Sequence, residues 1–132
     1  MLVTTVTANR LPLFRESANA LEAVECLYRV QGLRPFFLYA FVVMPDHIHL
    51  LVEVPPPATI SRIMNSYKSS IASGLGFRKI WQPRFHIREV NNRQAAVDYI
   101  HCNPCKKGLC LMPEEYLWSS ASGKWDVSDL PF

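Results

Sequence analysis

One run constrains the fold of this chain more than any other: Phe41-Val42-Val43-Met44-Pro45-Asp46-His47-Ile48-His49-Leu50-Leu51-Val52-Glu53-Val54. Met44-Pro45-Asp46 is turn chemistry set between two stretches rich in β-branched and aromatic residues. The pattern predicts two strands, Pro35 to Val43 and His47 to Val54, paired antiparallel across a tight turn. On an extended strand, residues i and i+2 point to the same side. His47 and His49 therefore project together while Ile48 enters the opposite face. Buried polar rings need partners, and a metal ion is the simplest partner that two imidazoles can share.

The segments around this hairpin supply the remaining elements. Thr4 to Ala8 is short and β-branched and reads as a first strand. Asn9 to Phe14 reads as a loop, with Pro12 breaking any continuation. Ser17 reads as the cap of a helix whose apolar positions Ala20, Leu21, Val24, Leu27 and Tyr28 follow a 3.6-residue period, with Gly32 ending it. After the stiff connector Pro55-Pro56-Pro57, Thr59 reads as the cap of a second helix carrying Ile60, Ile63, Met64, Tyr67 and Ile71 on one stripe, closed by Gly74 and Gly76. Phe85 to Val90 is the expected fourth strand. Asn91 and Asn92 start a third helix with Ala95, Ala96, Tyr99, Ile100 and Asn103, which Pro104 and Gly108 are expected to end. The tail from Leu111 on is short and mixed.

The order βαββαβ plus one extra helix predicts an α+β fold of the ferredoxin-like kind. It places an antiparallel sheet under two helices on one face, with an additional C-terminal helix free to cover part of the other. A length of 132 residues fits a single domain, 1–132. No apolar run is long enough to span a bilayer and no secretory signal opens the chain, so the expectation is a soluble cytoplasmic protein without membrane partners.

The net charge of +3 hides an uneven distribution. Residues 62–110 hold nine basic residues (Arg62, Lys68, Arg78, Lys79, Arg84, Arg88, Arg93, Lys106 and Lys107) against Glu89 and Asp98, giving +7. The flanking thirds are acidic. A basic middle third is the footprint of a phosphate-backbone binder. The aromatics interleaved with it, Trp81 among them, could stack on single-stranded bases. Lys68, Arg78, Lys79, Trp81, Arg84, Arg88, Lys106 and Lys107 are the candidate DNA contacts; the basic residues are each also readable as ordinary surface, and Trp81 as a plug at a core edge. Cys102-Asn103-Pro104-Cys105 has CxxC spacing, but no second ligand pair follows for a structural zinc site, and free thiols in a reducing compartment are expected.

Tyr99 and Asn103 stand at i and i+4, one above the other on the third helix. If that face lies over the histidine strand, a phenol and an amide oxygen join the two imidazoles. Two nitrogens and one oxygen suit Mg²⁺ or Mn²⁺, although raw affinity favours Zn²⁺. Such an ion would polarise a phosphate, and Tyr99 would be the nucleophile. Taken alone, Tyr99 also fits a half-buried position on an amphipathic helix, and Asn103 fits a helix C-terminus. His86 and His101 carry no assigned role, and Asp46 is expected to shape the turn.

Four stretches together resemble one known family. Val43-Met44-Pro45-Asp46-His47-Ile48-His49-Leu50-Leu51 resembles the HUH motif of the single-tyrosine HUH transposases. Trp81-Gln82-Pro83-Arg84-Phe85, the stretch from Tyr99 to Leu109, and Glu115-Tyr116-Leu117-Trp118-Ser119-Ser120 resemble its REP-associated (IS200-like) branch. The resemblance implies a ferredoxin-like fold and metal-dependent cleavage and rejoining of single-stranded DNA near hairpins or palindromic repeats. His47, His49 and Asn103 match the metal ligands. Tyr99 matches the nucleophile, which forms a 5′-phosphotyrosine link and frees a 3′-hydroxyl. A nucleoid-associated location follows from such a substrate. Family members act as monomers or as homodimers with exchanged tyrosine helices, and both states are open. Cys105 stands where the family usually has an aliphatic residue, the segment before the first strand is short, and the tail is acidic. An alternative reading is a domesticated, non-catalytic DNA hairpin-binding protein. A histidine-triad hydrolase would want a further histidine where this chain has Leu51.

Overall fold

In the computed structural model, which describes residues 1–131, a four-stranded antiparallel sheet separates two layers of helix. The strands are β1 (Leu2–Thr7), β2 (Phe37–Val43), β3 (His47–Glu53) and β4 (Trp81–Arg88), and the helices are α1 (Ser17–Leu33), α2 (Ile60–Leu75) and α3 (Arg93–Lys106). The sheet order is β2-β3-β1-β4, so the histidine strand β3 is central. This is the expected ferredoxin-like arrangement with one added helix. No helix among the described residues is long and apolar enough to cross a membrane.

Alternation along the strands sorts the side chains into two cores. Val3, Phe41, Val43, Ile48, Leu50 and Val52 point to the face covered by α1 and α2. Ala20, Val24, Leu27 and Val30 line the buried stripe of α1, and Ile63, Met64, Tyr67 and Ile71 that of α2. The Tyr67 hydroxyl donates to the Ala23 carbonyl at 2.8 Å and joins the two helices. On the other face, Leu2, Tyr39, Val42, Met44 and Leu51 meet Ala96 and Ile100 of α3. Ile100 is fully buried and anchors α3 on the sheet, so cutting it to Ala should cost about 2–5 kcal/mol and loosen the helix.

Several boundaries differ from the sequence pattern. Ser17 is the first residue of α1 rather than its cap; Glu16 occupies the cap position without a side-chain bond. The helix passes through Gly32 to Leu33, because exposed Gly32 meets no steric or packing demand that would end it. Gly74 lies inside α2, where a β-carbon would collide with the Glu22 carboxylate. Thr59 does cap α2, accepting from the Arg62 amide, and Gly76 ends it at φ 75°. β1 begins at Leu2 rather than Thr4, and β4 begins at Trp81 rather than Phe85, running through Pro83. A proline is tolerated there because β4 is an edge strand with one unpaired side. Asn92 caps α3 as expected, with its side chain accepting from Ala95 at 3.0 Å. Pro104 does not end α3. It removes one donor from the last turn, whose Asn103 and Pro104 carbonyls are still satisfied by the amides of Lys107 and Leu109.

The tail is more ordered than its mixed composition suggests. Ser119 bridges Val42, the Ser120 hydroxyl accepts from the Phe41 amide at 3.0 Å, and the Tyr116 hydroxyl donates to Val43 at 2.7 Å. This strap covers the outer edge of β2, which would otherwise be open to another strand.

Candidate active site

Strand register brings the site residues into rows. Val42 pairs with His49, His49 with Thr4, and Thr4 with His86, so one row crosses the whole sheet on the α3 face. The next row runs Ala40, Leu51, Leu2 and Arg88. Because α3 is seated on this face by Ile100, Tyr99 hangs over the rows from the adjacent position on its helix. The Tyr99 ring lies 5.5 Å from that of His49, which lies 4.7 Å from that of His47. A cavity of about 220 Å³ is lined by Thr4, Arg10, His47, His49, Tyr99 and Asn103, among others. The structure thus assembles all four sequence-predicted residues within one chain.

Each imidazole is oriented through its Nδ1. His49 Nδ1 shares a 2.8 Å hydrogen bond with Thr4 Oγ1, and His47 Nδ1 lies 2.6 Å from Asp46 Oδ1. Both rings keep Nε2 for a further partner. Second partners of this kind fix the ring and its tautomer, as they do at metal sites. Burial, then the neighbouring His47 and Arg88, push the His49 imidazole down to about 4, so it is neutral and able to donate a lone pair near pH 7. Asp46 experiences burial that raises its pKa, but its bonds to His47 and Arg10 outweigh that and leave it lowered. The charged carboxylate is thereby kept beside His47.

The third donor is Asn103. It is buried, lines the same cavity, and its Oδ1 is one of two buried side-chain polar atoms without a hydrogen-bond partner among the described residues. An orphaned amide oxygen costs about 1–3 kcal/mol. Beside two imidazoles with free nitrogens, it completes a donor set that fits a divalent cation. Among the described residues no group of three or more His, Cys, Asp or Glu is arranged to hold a metal ion, so the amide is what makes the set three. Cys102 and Cys105 of the CxxC stretch belong to no such group either. Cys105 and Cys110 are free thiols 3.4 Å apart.

Tyr99 is 40% exposed, which leaves its ring open to a polymer. Two cations flank it: Lys106 Nζ at 5.8 Å and the Arg88 guanidinium at 6.0 Å from the ring centre. Lys107 lines the cavity. The other candidate DNA contacts lie elsewhere. Lys68, Arg78, Lys79 and Trp81 line a separate cavity of about 520 Å³ between α2 and β4 that shares no residue with the tyrosine cavity. There the Trp81 indole donates to the Lys68 carbonyl at 3.0 Å, Lys68 Nζ donates to Gln82, and the Trp81 ring leans on Phe14 at 5.8 Å. These two residues clip β4 to α2. Arg84 is exposed on β4. His101 is tied to Ser120 at 2.7 Å and joins α3 to the tail strap.

Sequence reasoning missed Thr4 and Arg10. Thr4 could be found only from strand register. Arg10 pairs with Asp46 at 3.3 Å and reaches the site through a left-handed backbone, φ 54° at Asn9 and 51° at Arg10, which no residue pattern announced.

Comparison with known proteins agrees with this geometry. Residues 2–103 match the family model described as "Transposase IS200 like". The chain is similar to the REP-associated tyrosine transposase of Escherichia coli (strain K12), 35% identical over 98 residues, which is 71% of this chain and 59% of that relative. The chain therefore spans about 59% of that relative's length. A solved REP-associated tyrosine transposase bound to a REP hairpin superposes with a TM-score of 0.79 and 26% identity, over 99% of this chain and 87% of the other. A crystal structure of a candidate transposase from Deinococcus radiodurans R1 (TM-score 0.59, 18% identity, 82% of this chain and 88% of that one) shows the same fold.

Proposed function

This chain belongs to the IS200-like transposase family, alongside its REP-associated tyrosine members, and from that premise we propose that it cleaves and rejoins single-stranded DNA near hairpins in a metal-dependent reaction. The observation that carries the proposal is the unpartnered Asn103 oxygen in the cavity that also holds His47, His49 and Tyr99. His47 and His49, through Nε2, and Asn103, through Oδ1, would hold Mg²⁺ or Mn²⁺. When bound, the cation would draw charge from the scissile phosphate.

The chain's own residues account for the rest. Tyr99 is exposed at the mouth of the cavity and supplies the phenolic oxygen that attacks phosphorus. A new phosphorus–oxygen bond forms to Tyr99 as the bond to the departing 3′-oxygen breaks. The phenolic proton leaves to water and the 3′-oxygen takes one up, giving a 5′-phosphotyrosine and a free 3′-hydroxyl. Reversal with another 3′-hydroxyl rejoins the strand without outside energy. Arg88 and Lys106, 6.0 and 5.8 Å from the ring centre, hold the phosphate in reach by charge. Asp46 and Thr4 keep the two imidazoles aimed. The hairpin partner is proposed from the hairpin-bound relative and the basic middle third.

The test is cleavage of a labelled single-stranded hairpin oligonucleotide with Mn²⁺, Mg²⁺ or chelator. The expected result is metal-dependent scission to a product that a polymerase can extend from its 3′-hydroxyl, lost in His49→Ala. Hairpin binding without scission under any divalent ion would favour the non-catalytic reading. Scission that persists in chelator with both histidines replaced would overturn the metal assignment.

A further inference from the structure

We infer that a second compartment beside the tyrosine cavity, walled by Arg10, Arg15, His47 and Lys107, holds a nucleotide of the single strand on one side of the scissile phosphate; this rests on the functional reading above. The compartment has a volume of about 310 Å³, at the lower end of the roughly 300–1,000 Å³ of small-ligand sites. Arg10, His47 and Lys107 line both it and the tyrosine cavity, so the two are neighbouring rooms of one cleft.

Its chemistry suits a nucleotide. Arg10, Arg15 and Lys107 bring three positive charges against one carboxylate, Asp46, which already engages Arg10 and His47. Pro12 and Leu109 add apolar surface on which a base can rest. The wall is built in advance. The Thr7 hydroxyl donates to Leu11 at 2.8 Å, the Thr7 amide to Asp46 at 2.9 Å, and the Phe14 amide to Pro45 at 3.0 Å. These bonds pin the Ala8–Arg15 segment to the turn before His47 and hold Asn9 and Arg10 in the left-handed region. That conformation costs a non-glycine residue about 1–2 kcal/mol. Strain of this kind is retained where it aims a side chain, and here it aims Arg10 at both rooms.

The cleft continues on the other side of Tyr99. Thr4, Arg88 and Tyr99 line a cavity of about 200 Å³, and Arg88, Asn92 and Tyr99 line the next, of about 390 Å³. Arg15 therefore marks one end of a groove and Asn92, at the start of α3, the other, with the tyrosine, the two histidines and Arg88 between them. A strand passing the nucleophile has Arg15 on one flank and Asn92 on the other.

The experiment uses Tyr99→Phe protein in chelator, so that binding is read without cleavage. Oligothymidylates of increasing length carry a single 5-iodouracil at the 5′ or the 3′ end, and peptides crosslinked by light are mapped. The groove predicts that the peptide containing Arg15 crosslinks to one terminus and the peptide containing Asn92 to the other. Arg15→Glu should weaken binding about tenfold and lower the salt slope by about 0.7, as loss of one phosphate contact does. Lys124→Glu, the same charge change on the exposed tail outside the basic middle third, should alter neither. Equal crosslinking of both peptides to both ends, no Arg15 crosslink, equal effects of Arg15→Glu and Lys124→Glu, or no binding of any oligothymidylate would each overturn the inference. If polarity is found but the hairpin substrate is never cleaved, the groove stands and the enzymatic reading falls alone.

Discussion

Acidification in the absence of divalent metal should destabilise the protein through His49. Its ring is buried, next to His47 and Arg88, and stays neutral down to about pH 4 rather than 6.5. In the unfolded chain the ring is solvated and protonates at its ordinary value. The folded pKa is the lower of the two, so between them the unfolded state binds more protons. This contribution to stability is complete above pH 6.5 and is lost as pH falls through the window toward 4. The full difference is about 3 kcal/mol, a sizeable share of the roughly 5–15 kcal/mol that holds a domain together. It corresponds to a fall in Tm of roughly 10 °C. The assay is urea denaturation in chelator, from about pH 7 to about pH 4, of wild type and His49→Gln. Carboxylates respond to acid in both proteins, so the difference between the curves isolates His49. Wild type should lose about 3 kcal/mol more than the variant over this range. Parallel curves would refute the claim that burial holds this ring neutral.

Further outcomes follow from the same geometry. Asn103→Leu removes an unpartnered buried amide, so without metal its Tm should match or exceed wild type, a gain of about 1 kcal/mol at most, while stabilisation by added Mn²⁺ disappears. Asp46→Asn should keep the fold by circular dichroism but lower Mn²⁺ affinity about 10- to 100-fold in titration calorimetry, because His47 loses the carboxylate that orients it. Tyr67→Phe leaves the Ala23 carbonyl without its second donor inside the α1–α2 seam and should cost about 1–2 kcal/mol in urea denaturation, with DNA binding unchanged.

Most of the fold was legible in period and punctuation. The hairpin around Pro45 and Asp46, the stripes of α1 and α2, and the caps Thr59 and Asn92 all announce themselves locally. The site was legible for the same reason. His47 and His49 obey the two-residue period of a strand and Tyr99 and Asn103 the four-residue step of a helix, and the element order leaves one bare sheet face on which they can meet. What escaped depends on tertiary context. Pro83 and Pro104 look like breakers, yet an edge strand and a last helical turn absorb them. Lys68 looks like free surface, yet its carbonyl accepts from the Trp81 indole and its Nζ donates to Gln82 of β4. Thr4 is an ordinary strand residue until register sets it beside His49. Arg10 enters only through backbone angles that most non-glycine residues avoid.

The central claim is that Tyr99 forms the bond to DNA. It is tested most directly by incubating the protein with a single-stranded hairpin and Mn²⁺, digesting the denatured mixture and sequencing the nucleotide-bearing peptide by mass spectrometry. The account predicts one modified peptide, with the phosphodiester remnant on the Tyr99 oxygen, absent from Tyr99→Phe. A covalent adduct mapped to any other residue, or one that survives Tyr99→Phe, would contradict it.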